Sequence, residues 1–454
     1  MAVRGGPEPH RARDGAYLLL IGAALLVIVG SILACTAKFA MVDFKGVYYS
    51  ARGLLAHADP YSQDAMSRVY RLANGGRATD LPGVQEVITH NVYPPTAFAL
   101  TLPFAILPIW SASVLWMVVS CSLFILSGWL IWKASAQYAP TMSGVLAGFL
   151  LANSVWLFLV GNSAMIATAL CIIAVWCFVG RRFELAGVVC LALSLAVKPH
   201  NTGLVWLYFL LAGGAYRKRA VQVLAVTVVL GVLSVAWVGR VSPHWLAEMG
   251  SNLSAFGVRG GMNDPGPSSA INRDLDPVVD LRSIVSVYRD SPEFYSGVAL
   301  SVTGMLLLPW IWRTICSDCD SDHTWLALAC VSALSMLPVY HRQHDAKLIL
   351  LALPACAMLW ARRDRVGWAA LIVTSAAVVL NGDLASALRI VFVKKWLEPI
   401  TGETGRMLMS TLGRPAQVSL LVMAVFYLWL FMRATRRRSL GTDLSGRVSM
   451  PSDE

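Results

Sequence analysis

Three short stretches of this chain hold side chains able to carry group-transfer chemistry. Asp43, in Met41-Val-Asp-Phe-Lys-Gly-Val-Tyr-Tyr49, stands a few residues beyond the first long apolar segment. A carboxylate at a membrane–water boundary, where solvation is easily tuned, is suited to take a proton from a hydroxyl. Lys198-Pro-His200 puts a cation and an imidazole at the end of another apolar run. His341-Arg342-Gln-His344-Asp345, followed closely by Lys347, crowds charged and titratable groups into a turn between two apolar runs. A turn needs far fewer charges, so this cluster reads as a holder for a diphosphate or phosphosugar group.

Weaker signals surround these. Tyr48, Tyr49 and Arg52 follow Asp43 at helical spacing, and Asp59-Pro-Tyr61 and Asn91-Val-Tyr93-Pro-Pro95 break the chain near by. Gly161-Asn162 marks a short connection. Each has a structural reading beside the chemical one. Asp43 suits a helix N-cap, Asp-Pro and Pro-Pro suit turns, and Gly-Asn suits a plain turn. Lys198 has two readings of equal standing: its ammonium snorkels to headgroups, or it clamps a phosphate beside the freed backbone donors of a broken helix. Cys316-Ser-Asp-Cys319 with His323 has metal-like spacing, yet it is a single pair in a short loop and falls short of a zinc site. No metal site is expected.

The elements that must position these groups are membrane helices. Of 454 residues, 57% are hydrophobic and 14% charged, against roughly a quarter charged in a soluble domain. The apolar residues gather in runs long enough to cross a bilayer. Spans are expected at roughly 17–37, 111–132, 141–160, 163–180, 184–198, 201–215, 220–239, 294–314, 324–340, 346–361, 366–381 and 416–432, about a dozen in all. The formal charge of +11 is carried largely by short clusters between these runs. With both termini cytoplasmic, Arg4 to Arg13, Lys133, Arg181-Arg182, Arg217-Lys-Arg219, Arg313, Arg362 to Arg365 and Arg436 to Arg438 all fall on one side, as topology charges do. Nucleic-acid binding is therefore not indicated. Pro94–Pro108 is apolar but short and proline-rich; counted as a span it would reverse every later cluster. It is expected to be a re-entrant or interfacial helix, with the rival that it spans and another short pair does not. The outer face then holds 38–110, 240–293 and 382–415, with Asp43, Gly161, Lys198 and His341–Asp345 at outer helix ends.

Taken in order, these motifs resemble a known family. The pattern Asp43-Phe-x-x-x-Tyr48-Tyr49-x-Ala51-x-x-Leu54-Leu55 leads to Asp59-Pro-Tyr61, then Tyr93-Pro-Pro95, Gly161-Asn162, Ala196-Val-Lys198-Pro199 and Arg217-Lys-Arg219. Over about residues 41 to 361 the chain resembles glycosyltransferase family 87, integral-membrane transferases that include the mycobacterial mannosyltransferases of phosphatidylinositol mannosides. The family more often has Gly-Gln where this chain has Gly161-Asn162, and the 341–345 turn is more charged than expected.

The resemblance implies an all-α, polytopic bundle of GT-C type, one transmembrane domain over 1–433 with a polar cytoplasmic tail at 434–454. It implies a polyprenyl-phosphate-linked sugar donor, a lipid or glycan acceptor, membrane lipids around the protein and no nucleotide sugar. The carboxylate just past the first span, Asp43, is implied to be the catalytic base. Lys198, His200, His341, Arg342 and His344 would then stabilise the departing phosphate. Tyr48, Tyr49, Arg52, Tyr93, Asn162 and Asp345 complete the expected substrate-binding set, with 240–293 as a lid over the acceptor. The reaction expected is hexosyl transfer, mannose foremost, on the outer face of the cytoplasmic membrane. No cofactor is expected, and no Asp-x-Asp pair of the nucleotide-sugar type stands near Asp43. The rival class, a transporter or lipid-linked glycan flippase, predicts midplane charges and internal repeats; the charges here sit at helix ends, and no repeat is visible.

Overall fold

The computed structural model describes residues 9–73, 82–267, 269, 278–317 and 321–434. Among them the chain is helical, with one isolated antiparallel bridge, Val278 to Arg342. It runs through α1 (Pro9–Thr36), α2 (Val42–Leu55), α3 (Gln63–Ala73), α4 (Pro82–Thr89), α5 (Pro95–Ala105), α6 (Ile109–Ala136), α7 (Pro140–Ala152) and α8 (Val155–Val160). Then come α9 (Ala164–Val179), α10 (Glu184–Val197), α11 (Pro199–Ala212), α12 (Gly214–Val241) and α13 (Trp245–Gly257). The later helices are Leu281–Val285, Pro292–Cys316, Ser321–Leu334, Leu353–Trp360, Arg365–Leu380, Asp383–Phe392, Gly402–Thr411 and Pro415–Arg433.

Every expected span holds helix, most of them within a few residues of the expected bounds, while 141–160 and 346–361 are divided. Among the described residues five helices are long and apolar enough to cross a membrane, or six if the pair Arg365–Leu380 and Asp383–Leu397, bent by 74°, is one span. The others are short or broken, and the breaks follow from sequence. Pro199 has no N–H and its ring disfavours helix at the residue before it, so Lys198 takes φ −148°, ψ 74° between α10 and α11. At Asn153-Ser154 the apolar run 141–160 divides into α7 and α8. A run of apolar residues does not reveal such a break, because apolarity persists on both sides of it.

The tightest packing is between α1 and α7. A Cβ on Gly22 would overlap the Gly148 carbonyl, one on Gly144 the Gly15 carbonyl, and one on Gly148 the Leu18 carbonyl. Gly144-x-x-x-Gly148 thus lets two backbones touch, and van der Waals contact at that range replaces the hydrophobic drive absent in lipid. From α1 the chain turns directly into α2, and the Met41 N–H donates to Leu159 O at 2.8 Å. This hydrogen bond ties the start of α2 to the end of α8.

The segments expected as outer loops are largely helical. Over 38–110, helices α2 to α5 make a second apolar core in which Phe44 packs on Trp116 with ring centroids 4.7 Å apart. α5 has 11 residues, about 16 Å at 1.5 Å per residue and roughly half a hydrocarbon core. Its Thr96 hydroxyl donates to Ala196 O beside the α10–α11 break. Over 240–293, α13 is docked on the first lobe: Asn252 Nδ2 donates to Tyr61 O at 3.0 Å and Asn91 O at 3.1 Å. That part of the expected lid is packed helix; of Gly257–Pro277, residue 268 and 270–277 lie outside the described residues.

Candidate active site

Four chain segments meet around Asp43. α8 ends because Gly161 takes φ +66°, and a Cβ there would come within 2.9 Å of both Met41 Cε and Phe44 Cβ. Only glycine allows this turn so close to α2. Trp116 Nε1 donates to Gly161 O at 3.0 Å and fixes its height. The next residue, Asn162, is buried, and its Nδ2 donates to Asp43 Oδ2 at 2.7 Å. Asn162 Oδ1 accepts from the Ala164 N–H at 2.8 Å and from Lys198 Nζ at 3.3 Å. The Lys198 ammonium, buried at the α10–α11 break, also pairs with Asp345 Oδ1. Asp345 Oδ2 accepts the Arg342 N–H at 3.0 Å, so the carboxylate both caps its own turn and holds the lysine. One hydrogen-bonded chain therefore runs Asp43, Asn162, Lys198, Asp345, through residues distant in sequence.

The electrostatics follow this arrangement. Asp43 is half-buried, and desolvation raises its pKa above the ordinary carboxylate range, opposed by His344, the Asn162 hydrogen bond, Lys198 and Arg342 in turn. For Asp345 burial also acts upward, but Lys198, His344, His341 and His200 outweigh it and hold the carboxyl well below its usual range. His341 is fully buried and desolvation lowers its pKa, Asp345 opposing, which favours neutral imidazole at pH 7. Its Nδ1 lies 2.9 Å from Val339 O, which fixes the ring proton there and leaves the lone pair on Nε2. Burial, then the neighbouring Asp43, push the Tyr93 hydroxyl well above its ordinary value. This shared field puts Tyr93 at the site too.

The sequence-predicted residues divide. Asp43, Tyr93, Asn162, Lys198, His341, Arg342, His344 and Asp345 are brought together. His200 is exposed at the rim, its ring centroid 5.1 Å from that of His341. Tyr48, Tyr49 and Arg52 are not gathered at Asp43, because they lie roughly 120–180° around α2 from it at 100° per residue. Tyr48 OH donates to Leu107 O at 2.7 Å, Arg52 Nη1 donates to Tyr48 OH at 2.8 Å, and Tyr49 packs edge-on against Tyr70. They build the wall of the first lobe. Lys347, fully buried, donates to Asn153 O at 3.0 Å and Asn381 O at 2.7 Å, anchoring the 341–347 segment from behind.

Sequence reasoning missed Tyr340 and Met262. The Arg342 guanidinium donates from Nε to Tyr340 OH and from Nη2 to Met262 O at 2.7 Å, which brings the loop after α13 onto the site. An aromatic directly before the charged cluster was the available signal for Tyr340; a backbone carbonyl leaves none.

Residues 91–273 match the model of glycosyltransferase family 87. Over that stretch the chain is similar to glycosyltransferase family 87. This similarity supports a membrane glycosyltransferase acting with a sugar donor and an acceptor. No curated protein and no solved structure matches it. The family 87 match contains Asn91, Tyr93, Asn162, Lys198 and His200, whereas Asp43 and His341–Asp345 lie outside it. Hydrogen bonds join these outer segments to the matched stretch at Asn162 and Lys198.

Proposed function

We propose that this chain transfers a hexose, mannose foremost, from a polyprenyl-phosphate sugar to a lipid or glycan acceptor on the outer face of the cytoplasmic membrane. In this reading it is one GT-C domain over residues 1–433, with 434–454 as a cytoplasmic tail. The observation that carries it is the Asp43 carboxylate beside the cationic Lys198 and Arg342 at one end of an apolar helical bundle.

The chemistry uses each group once. Asp43 takes the proton of the acceptor hydroxyl as its oxygen bonds to the anomeric carbon from the face opposite the phosphate. The bond from that carbon to the phosphate oxygen breaks, and polyprenyl phosphate leaves with the electron pair. Lys198 and Arg342 oppose the charge that builds on the leaving oxygen. An ammonium has three N–H donors; Lys198 gives one to Asp345 and one to Asn162, so a third serves the phosphate. His341 Nε2 is fully buried without a hydrogen-bond partner among the described residues, an acceptor able to orient a sugar hydroxyl. Tyr93 adds a hydroxyl near Asp43.

The test is transfer from a defined polyprenyl-phosphate mannose in membranes holding wild type or Asp43→Asn, with product glycolipids read by mass spectrometry. Donor-dependent product with wild type and none with the variant supports the reading. Transfer from a nucleotide sugar alone, with no polyprenyl donor, overturns it.

A further inference from the structure

Asn162 occupies an unusual position for a residue expected to touch substrate. It is 6% exposed, less than Asp43, which as a residue is half-buried. It therefore stands behind Asp43, on the protein side. Its orientation is also fixed. An amide oxygen accepts and an amide nitrogen donates; the oxygen receives the Ala164 N–H and the Lys198 ammonium. Flipping the amide would set NH2 against two donors, so Nδ2 must face Asp43.

We infer that Asn162 is the positioning residue for the base: it binds Asp43 Oδ2, fixes the carboxylate plane, and leaves Oδ1 for the acceptor hydroxyl. The Lys198–Asp345 pair acts one step further back, holding the amide that holds the carboxylate. This rests on the reading of Asp43 as base. It predicts a signature that neither substrate binding nor structural support gives. A donor hydrogen bond favours the charged carboxylate, so removing it moves protonation of Asp43 to higher pH. The charged and titratable groups around Asp43, namely His344, Lys198, Arg342 and Tyr93, remain in place.

The experiment compares pH profiles of kcat and both KM values for wild type, Asn162→Ala, Asn162→Ser and Asp43→Asn in proteoliposomes. Asn162→Ala is expected to lower kcat at pH 7 by about tenfold or more, to move the acidic limb up by about one pH unit, and to regain rate as pH rises. Both KM values are expected to stay within about twofold. Asn162→Ser keeps a donor hydroxyl and is expected to fall between; it takes over the comparison if the alanine protein does not accumulate. An unmoved acidic limb, or a change confined to KM, overturns the inference while a dead Asp43→Asn preserves the base. An active Asp43→Asn overturns the base itself, whatever Asn162 does.

Discussion

Asp43 and Asp345 have opposite fates although both are enclosed by protein. Asp43 is left protonatable above the usual range because desolvation outweighs its partners. As pH falls through that raised pKa the carboxylate is lost, so kcat is expected to decline on acidification at a pH above that of an ordinary aspartate. Asp43→Asn, which keeps shape but cannot take a proton, is expected to lose at least about a hundredfold in transfer with little change in melting temperature. Asp345 is held below its usual range. The unfolded chain binds a proton there before the folded one does, so the stability it contributes is in place above the unfolded pKa and is lost as pH falls toward the folded one. Asp345→Asn strands the Lys198 ammonium, a loss of roughly 3–5 kcal/mol for a broken buried pair. Thermal unfolding in detergent from about pH 5 down to about pH 2, across and below the unfolded carboxyl pKa, checks this: the gap between wild type and Asp345→Asn should narrow on acidification. A gap constant across that range would show that the pair does not carry the stability.

At the scale of elements, the α1–α7 seam and the α10–α11 break decide where the site forms. The seam brings two backbones together at Gly15, Gly22, Gly144 and Gly148. α1 leads within a few residues to Asp43, and α7 leads through α8 to Asn162. Shifting one helix against the other therefore misaligns base and amide. Gly148→Val is expected to destabilise by about 1–3 kcal/mol or more through overpacking and to cut activity further than the stability loss explains. Gly231→Ala on α12, where an added Cβ meets nothing within 4 Å, is the control and should leave both unchanged. Equal effects from the two substitutions would remove the seam's special role. The break at Lys198 works by a different route: a lysine there escapes the regular helix, so its ammonium can turn inward to Asp345 and Asn162.

For the whole molecule, the contacts among helix ends set the orientation to be tested. Asp43, Asn162, Lys198 and Asp345 meet at one end, while the Arg219–Glu184 pair and the Arg313 bond to Phe431 O belong to segments expected at the other. Single cysteines at the exposed positions Ala56 and Thr401 should react with an impermeant thiol reagent from outside, and one at exposed Ala215 should stay silent until the membrane is opened. Cys35 and Cys316 are exposed and must first become serine. A cytoplasmic Ala56 would place Asp43 before the nucleotide-sugar pool, and the lipid-phosphate donor would no longer fit.

The sequence by itself determined that this is a helical membrane protein, because clustered apolar runs have no other stable arrangement in lipid. It also marked the residues able to do chemistry, since a carboxylate, a lysine beside proline and a charged turn stand out against an apolar background. Tyr48, Tyr49 and Arg52 stood out equally, yet they face the lobe's own core; the spacing of a motif along the chain does not say which side of a helix meets a partner from elsewhere. On its own Gly161-Asn162 read as a plain turn, and within the motif order Asn162 was expected to bind substrate, not to hold the base. Only the tertiary structure placed its amide between Asp43 and Lys198, because that position depends on Gly161 pressing against α2 and on a lysine arriving from the end of α10. Hydrogen bonds between distant segments are fixed by how helices pack, and packing in a bilayer turns on small residues and broken ends that leave little trace in an apolar pattern.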